Sequence, residues 1–233
     1  MSKALFQHGG LRFWNQDEIQ LRDMFKDRAI SVVKRVLSGM NQAWRFEQVE
    51  GPILHPRSQI SAAYSEDDIF VTNHVAGEES FVLRAETTPS SYAYARDLGG
   101  RLPLCVYQAG ISSRREMNDG ASASRLRFNS FWQLEFQCIY SVTTKADYRT
   151  ALIEAISKEI RRFTMLPTRV VESDRLPSYS ESTLDIEVEM PLATGGTRWT
   201  EMASCSIRND FSEDTRVCEI AIGLDRIASL AGL

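Results

Sequence analysis

The chain of 233 residues has few cysteines and histidines, and neither type is clustered. No two of its four cysteines form a Cys-x-x-Cys pair, and each lies in an apolar, strand-like segment. The sequence therefore predicts reduced thiols in the core rather than a zinc site or disulfides. The three histidines, His8, His55 and His74, belong to no catalytic motif, which disfavours a triad hydrolase.

Long apolar segments and an excess of basic charge are also missing. No apolar run approaches the roughly 20 residues that a membrane-spanning helix needs, and residues 1–14 lack the charged-then-apolar layout of a signal peptide. The chain carries 27 Lys and Arg against 31 Asp and Glu, whereas a stand-alone nucleic-acid binder usually shows a basic excess. The missing apolar run and signal layout predict a cytoplasmic protein with no membrane partner. The charge balance implies that any nucleic-acid partner would have to be held by a local basic patch or by another protein.

The common nucleotide-binding and hydrolase motifs are absent as well. The sequence has no Gly-x-x-x-x-Gly-Lys phosphate loop, no Gly-x-Gly-x-x-Gly, no His-Glu-x-x-His and no Gly-x-Ser-x-Gly elbow. Its composition, 43% apolar and 25% charged, is that of an ordinary globular protein. Any chemistry should therefore depend on positioned charge more than on a general base.

Hydrophobic periodicity predicts an α+β fold, a mainly antiparallel sheet flanked by helices. Residues 1–15 are expected to form an irregular arm, and residues 16–233 a single domain. Asn15-Gln16-Asp17-Glu18 is expected to be the capped start of a helix that continues to Val36, and further helices are predicted at 90–98, 146–163 and 224–230. The first predicted strand is 46–54, whose proline implies an edge or a strand end. The other predicted strands are 81–86, 103–109, 114–117, 131–141, 168–171, 183–190, 198–207 and 216–222.

The strand at 131–141 combines a large apolar face with a polar one. Gln133, Glu135 and Gln137 share one face because successive side chains point to opposite sides. The breadth of the apolar face indicates a central strand, and a polar face there predicts the floor of a ligand pocket. Glu86, Glu201 and Glu219 also lie in apolar runs; each would need an arginine, a magnesium ion or a substrate ammonium group, since buried isolated carboxylates are costly.

Three segments, in this order, resemble the motifs of class II aminoacyl-tRNA synthetases. Residues 46–54 resemble motif 1, residues 113–116 with 125–135 resemble motif 2, and residues 218–226 resemble motif 3. Leu83-Arg84-Ala85-Glu86 is similar to a stretch of the glycyl and histidyl enzymes, and residues 176–188 and 199–211 look most like glycyl enzymes. The resemblance covers residues 17–233 and indicates the glycyl, threonyl, prolyl and histidyl subgroup.

The resemblance implies a role for each matching residue. Arg114 would bind the α-phosphate of ATP and Arg226 the γ-phosphate, and both would be catalytic. Glu116 would bind the adenine amino group and Glu219 a magnesium ion. The other implied ATP contacts are Phe131 or Phe128 stacked on adenine and Arg125 or Arg127 from the loop. The residues implied to bind the amino acid are Glu86, Gln133, Glu201 and Ser204. The alternative role for these side chains is to form hydrogen bonds within the sheet.

The implied function is activation of a small amino acid by ATP, followed by transfer to an acceptor. Ser113 replaces the usual aromatic residue of motif 2, and Ala85 replaces a common proline. A family enzyme normally continues beyond motif 3 into an anticodon-binding domain, whereas the sequence ends at Leu233. The expected acceptor is therefore a carrier protein, another protein, a small molecule or a nucleic acid, or tRNA with a helper protein.

Two further expectations come from the resemblance. Motif 1 implies a homodimer, because the family buries that helix and strand across a twofold axis. The alternative to an enzyme is a non-catalytic binding or regulatory subunit, such as the synthetase-like accessory subunit of a DNA polymerase. Retention of both ATP-binding arginines favours the enzyme.

Overall fold

The computed structural model describes residues 7–8, 11–40, 42–77, 79–115, 126–174, 176–192 and 194–231. Glu116 and Arg125, two predicted ATP-binding residues, lie outside this range. The helices are α1 (Gln16–Ser38), α2 (Thr88–Leu98), α3 (Tyr148–Thr164) and α4 (Leu224–Leu230). The strands are β1 (Gln7–His8), β2 (Leu11–Arg12), β3 (Arg45–Gln48), β4 (Leu54–Pro56), β5 (Val71–Ala76), β6 (Glu79–Leu83), β7 (Leu104–Ser113), β8 (Ser130–Ser141), β9 (Thr168–Glu172), β10 (Ser180–Pro191), β11 (Thr197–Arg208) and β12 (Thr215–Gly223).

A seven-stranded sheet forms the centre of the fold, in the order β3–β7–β8–β12–β11–β10–β9. Every neighbouring pair is antiparallel except β3 and β7, which are parallel. β4, β6 and β5 form a separate three-stranded sheet, and β1 pairs with β2. The prediction of a mainly antiparallel sheet flanked by helices is confirmed.

One face of the large sheet is apolar and packs against three helices. Phe25 of α1, Ile156 of α3 and Ile227 of α4 share a buried core with Leu134 and Phe136 of β8. On the opposite face α2 covers only part of the sheet, in a second, smaller cluster. The uncovered part of that face is polar, and it begins beside the N-terminal end of α2.

Helix α1 begins where the sequence predicts. The Asn15 side chain accepts a hydrogen bond from the Glu18 backbone N–H at 2.9 Å, and the Glu18 carboxylate accepts one from the Asn15 N–H at 3.1 Å. This reciprocal capping box satisfies two N–H groups that the helix itself cannot bond. The prediction of a capped start is confirmed.

Residues 46–54 do not form the single strand that the sequence predicts. β3 ends at Gln48 on the edge of the large sheet, and β4 begins at Leu54 in the small one. Between them the carbonyls of Gly51 and Pro52 accept hydrogen bonds from the Arg84 guanidinium at 2.9 and 3.1 Å. A side chain therefore satisfies backbone groups that a continuous strand would pair in a sheet.

Two other expectations need correction, and the one about the cysteines is confirmed. β7 runs without a break to Ser113, so Arg114 follows that strand rather than beginning a new one, and β5 was not predicted. The four cysteines are buried free thiols, as expected. Among the described residues no helix is long and apolar enough to cross a membrane.

Candidate active site

The floor of the candidate site is the polar face of β8. Gln133, Glu135 and Gln137 are all at most 4% exposed, and β8 lies between β7 and β12. The register places Gln137 opposite Glu219 of β12, so these two side chains share the face. The prediction of a polar face on a central strand is confirmed.

Glu135 lies at the N-terminal end of α2. One carboxylate oxygen accepts hydrogen bonds from the Thr87 N–H at 2.9 Å and from the Thr87 hydroxyl at 2.5 Å, and the other accepts one from the Gln133 amide at 2.7 Å. Burial raises the pKa of Glu135, and Glu219 adds to this, whereas the Thr87 hydrogen bond lowers it. The positive end of the helix dipole also favours a carboxylate at this position.

Glu219 and Arg208 form an ion pair on the adjacent strands β12 and β11. The Arg208 guanidinium donates to one Glu219 oxygen at 2.5 Å, and the same oxygen accepts from the Thr88 hydroxyl at 3.0 Å and the Gln137 amide at 2.8 Å. Arg208 is 1% exposed. A buried charge of this kind is tolerated only when it is paired and hydrogen-bonded, as it is here.

Three further contacts fix the Arg208 guanidinium. It donates to both oxygens of Asp210 at 3.1 and 2.6 Å, and it lies over the Tyr179 ring, 3.9 Å from the centroid. It also comes within 4.0 Å of Glu86. Although burial lowers the pKa of Arg208, Glu219 and Asp210 raise it by more, so the side chain stays charged.

Glu86 follows β6 and is buried at the edge of this cluster. One of its oxygens accepts a hydrogen bond from the Tyr64 hydroxyl at 3.3 Å. Burial raises the pKa of Glu86 to about 8; Arg208 opposes the shift, and Glu135 and Glu219 add to it. Burial therefore favours the protonated form of Glu86 near neutral pH.

Arg114 lies next to Glu86, at the edge of the buried carboxylates. Its Nε donates to the Ala85 carbonyl at 3.0 Å, and its guanidinium lies between the rings of Tyr64 and Phe131, 5.4 and 5.2 Å from their centroids. Burial lowers the pKa of Arg114, but the surrounding Tyr64 and Glu86 raise it overall. Arg114 is therefore a fixed positive charge next to the buried carboxylates.

Phe128 and Phe131, the alternatives for adenine stacking, have different surroundings. Phe128 is 2% exposed and packs edge-on against Trp14, with 6.2 Å between ring centroids. Phe131 is half-buried at the start of β8, beside Arg114. Phe131 thus has its ring near the Arg114 guanidinium and partial access to solvent.

Arg226 and Glu201 come together beside the floor. Arg226, in the first turn of α4, donates to the Glu201 carbonyl at 2.7 Å and to the Leu126 carbonyl at 3.1 Å, and it lies 3.9 Å from the Glu201 carboxylate. Its helix follows Gly223, which pairs with Gln133. Ser204 is half-buried on β11, two strands from Glu135, and Arg127 is half-buried next to Leu126.

Arg84 is a further buried guanidinium beside the floor, and its charge interacts with Glu135. Its guanidinium fills the space above Gly110 of β7, where a Cβ would lie 2.1 Å from Nη2. It donates to the Ile111 carbonyl at 2.8 Å and to the 51–52 segment. Gly110 is thus required by the close approach of a side chain to the sheet.

The contacts of Glu219 suit a guanidinium rather than magnesium. One of its oxygens already accepts three donors, and the Arg208 charge lies where it would repel a divalent cation. No three His, Cys, Asp or Glu side chains within the described residues are arranged as a metal site. Magnesium at Glu219 stays a prediction.

The structure thus brings together Glu86, Gln133, Glu219 and Arg114 from the predicted set. Sequence reasoning missed Arg208, Tyr64 and Tyr179 as site residues, and it placed Glu135 on the floor without assigning it a role. The alternation of polar and apolar residues along β8 places Glu135 on the same face as Gln133, and this was a sequence signal for a role of Glu135 in the site. Nothing in the local sequence of Tyr64 indicates that its loop reaches the site.

Comparison with known proteins gives matches among solved structures alone. The sequence matches no family model and no curated protein. The fold is similar to prolyl-tRNA synthetase from Giardia lamblia in complex with prolyl-adenylate, with a TM-score of 0.70 and 14% identity. It is also similar to prolyl-tRNA synthetase from Cryptosporidium parvum complexed with halofuginone and AMPPNP, with a TM-score of 0.73 and 12% identity.

In both comparisons the similarity covers 97% of this chain and 48% of the synthetase, so the chain spans about half the length of these enzymes. Prolyl enzymes belong to the subgroup that the motifs indicate, and the particular likeness to glycyl enzymes stays a prediction. The chain therefore has the fold of a class II aminoacyl-tRNA synthetase catalytic domain.

Proposed function

We propose that this protein joins a small amino acid to ATP, forming an aminoacyl-adenylate and pyrophosphate. The observation that carries this proposal is the buried carboxyl group of Glu86, which accepts a hydrogen bond from Tyr64 at 3.3 Å and lies 4.0 Å from the Arg208 guanidinium. Arg208 makes its shorter contacts with Glu219 and Asp210, and Arg114 bonds to the Ala85 carbonyl. Glu86 thus has no guanidinium of its own, and a ligand ammonium group would supply a cation.

The proton on Glu86 indicates where that ammonium group would bind. Burial raises the pKa of Glu86 to about 8 and Arg208 offsets only part of this, so the carboxyl group favours its protonated form at neutral pH. An ammonium group in contact with Glu86 would supply positive charge and displace the proton. The amino group of an amino acid is a ligand of this kind.

The packing around Arg208 supports a small side chain on the substrate. Arg208 lies 4.0 Å from Glu86, and Tyr179, Glu219 and Asp210 hold its guanidinium in place. A large substrate side chain would have to displace this buried ion pair. Glycine therefore suits the site best.

The position of Arg114 supports an adjacent ATP site. Arg114 bonds to the carbonyl of Ala85, the residue before Glu86, so a phosphate on Arg114 would lie next to an amino acid on Glu86. Phe131 presents a ring at the same place for the adenine base. In the motif 3 resemblance, Arg226 would bind the γ-phosphate.

The proposed reaction is an in-line displacement at the α-phosphorus. A carboxylate oxygen of the amino acid forms a bond to the α-phosphorus, and the bond from that phosphorus to the pyrophosphate oxygen breaks, with the electron pair leaving on pyrophosphate. No proton is transferred, so no general base is needed. Catalysis then consists of alignment and of neutralising charge on the α-phosphate by Arg114.

Exchange of labelled pyrophosphate into ATP, screened over all the common amino acids, tests this function. We expect exchange that depends on glycine or another small amino acid and declines with larger ones. A preparation that binds ATP but shows no exchange with any amino acid would contradict the proposal. That result would favour the non-catalytic binding or regulatory module.

The acceptor and the oligomeric state are further parts of the proposal. Transfer of labelled amino acid to carrier proteins, other proteins, small molecules or tRNA, each offered separately, would identify the acceptor.

The homodimer is supported by β3, a short strand on the edge of the large sheet. Light scattering at micromolar concentration should show twice the mass of one chain, and a monomer would contradict this part.

A further inference from the structure

The loop between β4 and β5, residues 57–70, brings an aromatic residue into the site from outside the large sheet. The Tyr64 ring packs against a small cluster that includes Ile60 and Ile69. Its hydroxyl donates to Glu86 at 3.3 Å, and its ring lies 5.4 Å from the Arg114 guanidinium. Tyr64 thus contacts both the carboxylate proposed to bind the amino acid and the arginine proposed to bind ATP.

The loop is fixed at both ends, which holds Tyr64 in place. The Arg57 guanidinium donates to the Tyr64 carbonyl at 2.9 Å and to the Glu66 carboxylate at 3.2 Å. At the other end the Arg115 N–H donates to the Asp68 carbonyl at 2.9 Å. Because Arg115 follows Arg114 directly, a displacement of this loop would also displace the backbone next to Arg114.

The Tyr64 hydroxyl remains a hydrogen-bond donor over the physiological pH range. Burial raises its pKa well above the ordinary value; Arg114 lowers it, and Glu86 raises it. A protonated hydroxyl donates more strongly to an ionised carboxylate than to a neutral one. The contact between Tyr64 and Glu86 should therefore shorten when Glu86 loses its proton.

We propose that Tyr64 is a positioning residue that couples the amino-acid and ATP sites. This inference rests on the proposed function. An ammonium group on Glu86 ionises the carboxyl group, which strengthens the bond from the Tyr64 hydroxyl and fixes the ring against Arg114. Arg114 is then oriented for a phosphate, so each substrate raises the affinity for the other by the same factor.

Calorimetric titrations of the amino acid, alone and with saturating α,β-methylene-ATP, test the coupling. The amino acid is the one selected by the exchange screen. In the wild-type protein we expect the ATP analogue to increase amino-acid affinity about tenfold, within the usual range of such couplings. Tyr64→Phe should lose most of this increase yet bind the analogue alone as the wild type does, because the ring is kept. Tyr64→Leu should also bind the analogue more weakly.

Tyr94→Phe is the matched control, since Tyr94 is an exposed tyrosine on α2, and it should keep the full coupling. If Tyr64 had a merely structural role, replacing it would lower the melting temperature without separating the effects on amino-acid and ATP-analogue binding. Undiminished coupling in both folded Tyr64 variants, or no coupling in the wild type, would overturn the inference and leave amino-acid activation standing. If Tyr64→Leu does not fold, the Phe variant decides. A wild-type protein without amino-acid binding or exchange would overturn both proposals.

Discussion

Arg208 and Glu219 form an ion pair beneath the candidate site, with their charged atoms 2.5 Å apart and their side chains 1% and 8% exposed. They lie on neighbouring strands of the sheet, and Glu86 is 4.0 Å from the same guanidinium. One cation therefore compensates carboxylates from two parts of the chain. Its removal should affect both stability and ligand binding.

Replacing Arg208 with alanine should lower the free energy of unfolding by about 3–5 kcal/mol, because Glu219 is left as an unpaired buried charge. Urea unfolding monitored by circular dichroism measures the change. The matched control is Arg169→Ala, which removes a more exposed pair with Glu187 at 2.6 Å and should cost less than about 1 kcal/mol. Equal losses in the two variants would show that the Arg208 pair is not specially stabilising.

Amino-acid binding should become tighter as the pH rises towards about 8. The bound ammonium group needs Glu86 ionised, whereas the free protein holds Glu86 protonated below its pKa of about 8. Below that pH, binding must release close to one proton from Glu86. Calorimetry at pH 7 in buffers of different ionisation enthalpy counts the released protons directly.

Glu86→Gln is the control for this pH dependence, since glutamine keeps the shape of the side chain and cannot ionise. The variant should bind the amino acid more weakly, with neither proton release nor a change in affinity between pH 6 and 8. Proton release that persists in Glu86→Gln would assign the titrating group to another residue. Glu135, whose pKa is also raised by burial, would then be the next candidate.

The two phenylalanines of the motif 2 segment should respond differently to truncation. Phe131→Ala should weaken ATP binding by about 1–3 kcal/mol, the usual contribution of base stacking on an aromatic ring, with a small change in stability. Phe128→Ala should cost about 3–5 kcal/mol of stability because it opens a cavity beside Trp14. Equilibrium binding of ATP and thermal melts separate the two effects; the reverse pattern would assign adenine stacking to Phe128.

Local sequence patterns were sufficient where local physics decides the structure. The capping box of Asn15 and Glu18 fixes the start of α1 within four residues of chain, and the alternation around Glu135 fixes the face of β8. In each case neighbours in sequence are also neighbours in space. The order of the three segments that resemble class II synthetase motifs then predicted the fold.

The parts that could not be predicted depend on long-range pairing. Arg208 meets Glu219 only because β11 and β12 pair in a particular register, and Tyr64 reaches Glu86 only because the loop between β4 and β5 packs against the residues that follow β6. The break after Gln48 likewise depends on Arg84, more than thirty residues away, which bonds the intervening carbonyls. No periodicity in a single sequence carries this information.

Direct detection of the aminoacyl-adenylate by mass spectrometry, after incubation with ATP and each small amino acid, tests the central proposal most directly. We expect the adenylate with the wild-type protein and with Arg162→Ala, a control at an exposed position on α3. Arg114→Ala should fold normally and form at most a few per cent as much, since loss of a transition-state donor costs about 10²–10³ in rate. Equal adenylate formation by wild type and a folded Arg114→Ala variant would contradict the assignment of this site.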